Sequence, residues 1–163
     1  MTMDVSWSSA LLWGFAATVA LTAIMAGAKG LGLSRVNLPY LLGTVPSTDR
    51  DRAQVYGLVL HFLVGWAFTL LYAAAFESWD RATWWLGASI GVVHALFVLT
   101  AAMPVLPSLH PRMTSEQRGP APRRQLEPPG FLALNYGPRT PYVVIAAHIA
   151  FGAIIGAFYQ LAG

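Results

Sequence analysis

The chain contains no cysteine. Disulfides, cysteine-ligated zinc and iron–sulfur clusters are therefore excluded, and the redox compartment is left unmarked. Charge is nearly as scarce. Only 10% of the 163 residues are Asp, Glu, Lys or Arg, against roughly 25% in a soluble domain. That is too little to coat a water-soluble globule. No Ser/His/Asp spacing, glycine-rich phosphate loop or paired-carboxylate motif is present, so nothing in the sequence marks an enzyme.

What the chain has instead is long apolar runs. Four stretches, at about 8–28, 54–76, 83–105 and 141–162, hold no Asp, Glu, Lys or Arg. Each meets the roughly 20 residues a helix needs to cross a bilayer. Helix is the expected form, because an open strand edge leaves its backbone unsatisfied in lipid. The expected fold is all-α: one integral membrane domain over residues 1–163, built as a four-transmembrane-helix bundle. The leader before the first span has no Lys or Arg, and the run is long, so this span reads as a retained helix, not a cleaved signal.

The basic residues set the topology. Lys29, Arg35, Arg50 and Arg52 fall between the first two spans, and Arg112, Arg118, Arg123, Arg124 and Arg139 between the last two. By the positive-inside rule, loops 29–53 and 106–140 are cytoplasmic and both termini lie outside, as in a bacterial inner-membrane protein. Trp7, Trp79, Trp84 and Trp85 cluster at the outer boundary; Tyr40, Tyr56, Tyr136 and Tyr142 lie near the inner one. The net charge of +3 thus reads as a topology signal and not as a nucleic-acid surface. Arg112, Arg123, Arg124 and Arg139 are the candidates for lipid-headgroup contact. In the second inner loop, the middle, 114–124, is expected to be mobile, and the part after it to be ordered at the membrane surface.

One pattern occurs twice. His61, Gly65 and Tyr72 stand as H-x3-G-x6-Y, and so do His148, Gly152 and Tyr159. An upstream echo accompanies each copy, Leu21-Thr22-Ala23-Ile24-Met25 and Leu99-Thr100-Ala101-Ala102-Met103. Two parallel two-helix repeats would produce this arrangement. On a helix, His61, Gly65, Phe68 and Tyr72 share one face, and His148, Gly152, Ile155 and Tyr159 another. Gly87 and Gly91 form a small-residue stripe on span three with His94 on the same side. Gly65, Gly152 and Gly156 extend the candidate packing set, since small residues let membrane helices approach closely. Ala16, Ala20, Ala23 and Gly27 offer the equivalent face on span one.

Three inward histidines, His61, His94 and His148, are the candidate cofactor or metal ligands: axial ligands of haem b, or a copper or zinc site. The competing reading makes each a neutral imidazole that bonds a neighbouring helix. Transport by an oligomer is a third reading, weakened by the lack of any carboxylate in a span. Interfacial enzymatic work through His110, Arg112, Glu116, Glu127 and Asn135 is a fourth; arginines touching headgroups explain that loop equally.

The segments His110–Met113, Leu126–Phe131, Asn135–Gly137 and His148–Tyr159 resemble uncharacterised bacterial four-helix inner-membrane proteins. With the Tyr72/Glu77 hairpin and the glycine-striped helix carrying His94, they are loosely similar to the YagU-like family. That resemblance implies an inner-membrane location and no established reaction. The expectation is a non-enzymatic small membrane subunit or scaffold without a cofactor, set in the lipid bilayer. Its partners would be other membrane subunits or copies of itself meeting through the glycine stripes, with no nucleic acid.

Overall fold

The structure, a computed structural model, describes residues 5–115, 119–123 and 126–162. The fold is all-α, and among the described residues there is no strand beyond an isolated bridge between Met113 and Leu126. Six α-helices follow in order: α1 (Trp7–Gly30), α2 (Leu38–Gly43), α3 (Arg50–Ser78), α4 (Trp84–Phe97), α5 (Met103–Leu109) and α6 (Thr140–Phe158). A π-turn, Val98–Ala102, joins α4 to α5, so Trp84–Leu109 runs on as one helical rod. A 3-10 turn, Phe131–Tyr136, precedes α6. Four of these stretches are long and apolar enough to cross a membrane: Trp7–Gly30, Arg50–Ser78, Trp84–Leu109 and Thr140–Phe158. They expose Leu11, Phe15, Val19, Leu63, Leu71, Val93 and Phe97. Apolar outer faces of this extent suit lipid and not water.

Three boundaries differ from expectation. Of the charged run Asp49–Arg52, the last three residues open α3 and Asp49 stands just before it. Asp49 Oδ1 accepts the Arg52 N–H at 2.8 Å, the bond by which an aspartate caps a helix start. The first loop also contains α2, where Asn37 Oδ1 accepts the Tyr40 N–H at 3.2 Å and Pro39 fills the first turn. At the far end α6 stops at Phe158. The following amides turn to other helices: Gln160 N–H donates to Ser9 Oγ at 2.9 Å, and Ala162 N–H to Glu77 Oε1 at 2.9 Å.

The chain divides into two compact units. The first comprises residues 1–24, 62–95 and 145–163. Within it, parts of four helices pack as a bundle. α1 meets α3 where Trp66 Nε1 donates to the Leu11 carbonyl at 2.9 Å and Phe15 stacks on Phe62. Here Gly14 lies against Thr69, and Gly65 against Thr18. α6 closes on α1 through Trp13 stacked on Phe158, ring centroids 4.4 Å apart. α4 and α6 approach backbone to backbone. A Cβ at Gly87 would overlap the Gly152 carbonyl, one at Gly152 the Gly87 carbonyl, and one at Gly156 the Thr83 carbonyl.

The second unit comprises residues 25–61 and 96–144. α2 lies on the start of α3, Gly43 against the Ala53 carbonyl and Gly57 against that of Pro39. Arg35 N–H donates to the Tyr136 carbonyl at 2.7 Å, and Ser34 Oγ and Thr140 Oγ1 share a buried hydrogen bond of 2.9 Å. These bonds order the end of the loop before α6. Leu132 and Ala133 both take left-handed backbone angles, φ 54° and 56°, a conformation that costs side-chain-bearing residues roughly 1 kcal/mol each. The expectation of a mobile middle falls partly on residues 116–118 and 124, which lie outside the described residues.

Candidate intramembrane site

The first unit gathers the polar groups of three spans. Tyr72 on α3 is 2% exposed and hydrogen-bonds His94 Nδ1 on α4 at 3.3 Å. The His94 ring stacks on Phe68, centroids 3.9 Å apart, and meets the His148 ring edge-on at 4.6 Å. Phe151 closes the cluster, edge-on to Tyr72 at 5.5 Å and to His94 at 6.0 Å. The glycines make this possible. Gly91 sits directly against the backbone carbonyl of His148, so α4 and α6 approach closely enough for two imidazoles to touch. In an apolar setting neutral imidazoles paired with each other and with a phenol are inexpensive, whereas imidazolium is not.

His61 belongs to the second unit and is buried. Among the described residues no group of three or more His, Cys, Asp or Glu side chains stands where it can hold a metal ion. The cluster of the first unit therefore offers two imidazoles and a phenol.

The two H-x3-G-x6-Y copies have parallel local roles. In each the histidine, glycine and tyrosine are buried, and the glycine lies at a close helix approach. Each tyrosine hydroxyl bonds another element: Tyr72 bonds His94, and Tyr159 donates to Glu77 Oε1 at 2.7 Å while accepting the Ser6 N–H at 3.1 Å. Glu77 thus accepts from the Tyr159 hydroxyl and the Ala162 N–H, and Ser6 joins them through Tyr159.

The small-residue face expected on span one is not the one used. Ala23 and Gly27 are exposed, and nothing lies within 4 Å of a Cβ built on Gly27. The packed face carries Gly14, Ala17, Thr18 and Leu21. Its signal is a pair of Gly-x3-Thr spacings, Gly14/Thr18 and Gly65/Thr69, in which each hydroxyl donates back to the glycine carbonyl, at 2.7 and 2.8 Å. A search for glycine and alanine alone passes over threonine, although it serves the same close packing. The glycines of α4 and α6 lie against the facing helix within the chain.

A second polar centre lies in the second unit. His110, 2% exposed, bonds through Nε2 to the Leu41 carbonyl at 3.0 Å and to Thr44 Oγ1 at 3.2 Å. Its Nδ1 accepts the Arg112 N–H at 3.1 Å. That acceptor role leaves the proton on Nε2 and makes the ring neutral. Burial holds its pKa below the usual histidine value, with the Arg112 charge adding to the effect against the Leu41 bond. Of the four headgroup candidates, Arg112 donates to the Val45 carbonyl at 3.0 Å, Arg123 and Arg139 are exposed, and Arg124 lies outside the described residues, as does Glu116. Glu127 forms an exposed ion pair with Arg35 at 3.1 Å. Burial and the Glu127 charge push the Tyr136 hydroxyl up to about 12; that hydroxyl donates to the Glu127 carbonyl at 2.8 Å.

No protein-family model, curated protein or solved structure matches this chain. The functional reading rests on geometry.

Proposed function

We propose that the chain is a multi-pass protein of the bacterial inner membrane, both termini outside, acting as a non-enzymatic small membrane subunit or scaffold of loosely YagU-like kind. One observation carries this reading: three polar side chains of the first unit's spans are turned on one another. Tyr72 bonds His94, His94 meets His148, and aromatic rings seal the cluster. Groups spent on interhelical contact are glue, worth about 1 kcal/mol apiece in a membrane. Partner contact then uses a surface other than the α4–α6 glycine seam.

The ring contact of His94 with His148 at 4.6 Å favours one alternative, a metal or haem site on these imidazoles. An absorption spectrum and metal analysis of the detergent-purified chain separate the two. The expected result is no Soret band and no stoichiometric metal. A band or bound metal lost in both His94→Ala and His148→Ala overturns the scaffold reading.

Orientation has its own test. Single cysteines at Ser78 and Ser115 are labelled with a membrane-impermeant maleimide in intact cells. Only the Ser78 site should react, and the reverse pattern would invert the topology.

A further inference from the structure

The second unit holds a cavity of about 360 Å3 whose charged lining is entirely cationic among the described residues: Lys29, Arg35 and Arg50, joined by Asn37, Tyr40 and Gln54. We infer that this cavity binds a phosphate-bearing anion, supplied in the membrane by the headgroup of an anionic phospholipid.

The cations are brought together by the fold and are not neighbours in sequence. Lys29 stands in the last turn of α1, Arg35 in the connection after it, and Arg50 in the first turn of α3, with Gln54 one turn on. The short helix α2 sets the other wall through Asn37 and Tyr40. Capping, by the Asp49 and Asn37 side chains, fixes where both helices begin. Three separate chain segments thus turn a positive charge into one hollow.

Nearby carboxylates do not fill it. Asp49 caps α3, Asp51 is not part of the lining, and Glu127 pairs with Arg35 from outside it. Among the described residues, that pairing leaves Lys29 and Arg50 as the lining cations without a carboxylate in ion-pair reach. A second cavity, of about 400 Å3, shares Arg35 and Tyr136 and adds Arg139, which extends the cationic lining beyond the first hollow.

The ligand chemistry follows. Guanidinium forks match phosphate oxygens in pairs, and an ammonium adds a point charge. Asn, Gln and Tyr supply neutral donors for the hydroxyls of a polar headgroup. The lipid source follows from position, and here the inference rests on the membrane reading. Lys29 ends one span and Arg50 begins the next, the level at which headgroups lie. Clustered cations at that level attract anionic lipid.

The test uses the full chain purified in detergent, with two probes. The first is a micelle of mixed phosphatidylglycerol and phosphatidylcholine, with retained lipid counted by native mass spectrometry. The second is inorganic phosphate without lipid, read as a thermal shift against equal chloride. The wild type should retain phosphatidylglycerol in preference to phosphatidylcholine. The double variant Lys29→Gln/Arg50→Gln should lose that preference about tenfold or more, while the exposed control Arg123→Gln keeps it. Both substituted side chains are exposed, and an unchanged helical spectrum checks the fold. A phosphate shift in the wild type without lipid preference overturns the lipid source and keeps the anion pocket. Indifference to both probes, or binding unchanged in the double variant, overturns the pocket. The reverse labelling pattern with anion binding intact would move the hollow to the outer leaflet and overturn the orientation alone, with the pocket and its headgroup level standing.

Discussion

Gly87→Ala should destabilise the protein by about 3 kcal/mol, the upper end of ordinary overpacking. The added methyl would enter the Gly152 carbonyl group and lie 3.0 Å from the Gly156 Cα. Both obstacles are backbone, so no side chain can rotate away, and α4 and α6 must separate. Separation also pulls Gly91 from the His148 carbonyl and loosens the contact between the two imidazoles. Gly27→Ala is the matched control. It replaces an exposed helical glycine with nothing within 4 Å, so it should be neutral or stabilising by up to ~1 kcal/mol. Equilibrium unfolding in mixed micelles measures both. Equal midpoints for Gly87→Ala and the wild type would refute the close approach of α4 to α6.

His110→Ala should cost on the order of 3 kcal/mol at pH 7.5. It strands the Arg112 N–H, leaves the Leu41 carbonyl with the Thr44 hydroxyl alone, and opens a new cavity. The pH dependence follows from the lowered pKa. In the unfolded chain His110 titrates near the ordinary value of about 6.5, and in the folded chain it binds its proton only at lower pH. Its contribution is therefore fully present above the unfolded pKa and is lost as pH falls through the folded one. Protonation would also place a donor on Nδ1, facing the Arg112 N–H. Between pH 7.5 and 5 the wild type should lose stability faster than His110→Ala does. The difference between the two curves isolates His110 from the other histidines. Parallel curves would show that the ring does not titrate against the fold.

The four spans were legible because lipid imposes a crude rule: about twenty residues without formal charge. Their ends were less so. The Asp49–Arg52 run reads as loop by charge, yet Asp49 caps α3 and the next three residues are its first turn. Nor does an apolar composition reveal where α6 ends, because Ser9 and Glu77, remote in sequence, take up its last amides. The face of His61, Gly65 and Tyr72 follows from helical period alone, and those three residues are buried. Which partner each polar atom meets does not follow from period. That Tyr72 reaches His94 depends on how α3 and α4 pack. Lys29, Arg35 and Arg50 were readable as topology signals, but their convergence on one cavity needs the path of the chain through α2.

The π-turn settles a problem of phase. Gly87, Gly91, Ala95, Leu99 and Met103 stand at strict four-residue spacing, and all five are buried. A regular α-helix advances about 100° per residue, so each such step drifts by roughly 40° and four steps by roughly 160°. An unbroken α-helix would carry Met103 to nearly the opposite side from Gly87. Between Val98 and Ala102 the coil widens; the Met103 N–H reaches back five residues to the Val98 carbonyl. The one extra residue of that turn takes back roughly 100° of the drift. The echo Leu21–Met25 has almost the same letters, yet it lies in the unbroken α1. A spelling shared by two helices has thus been given two different rates of rotation.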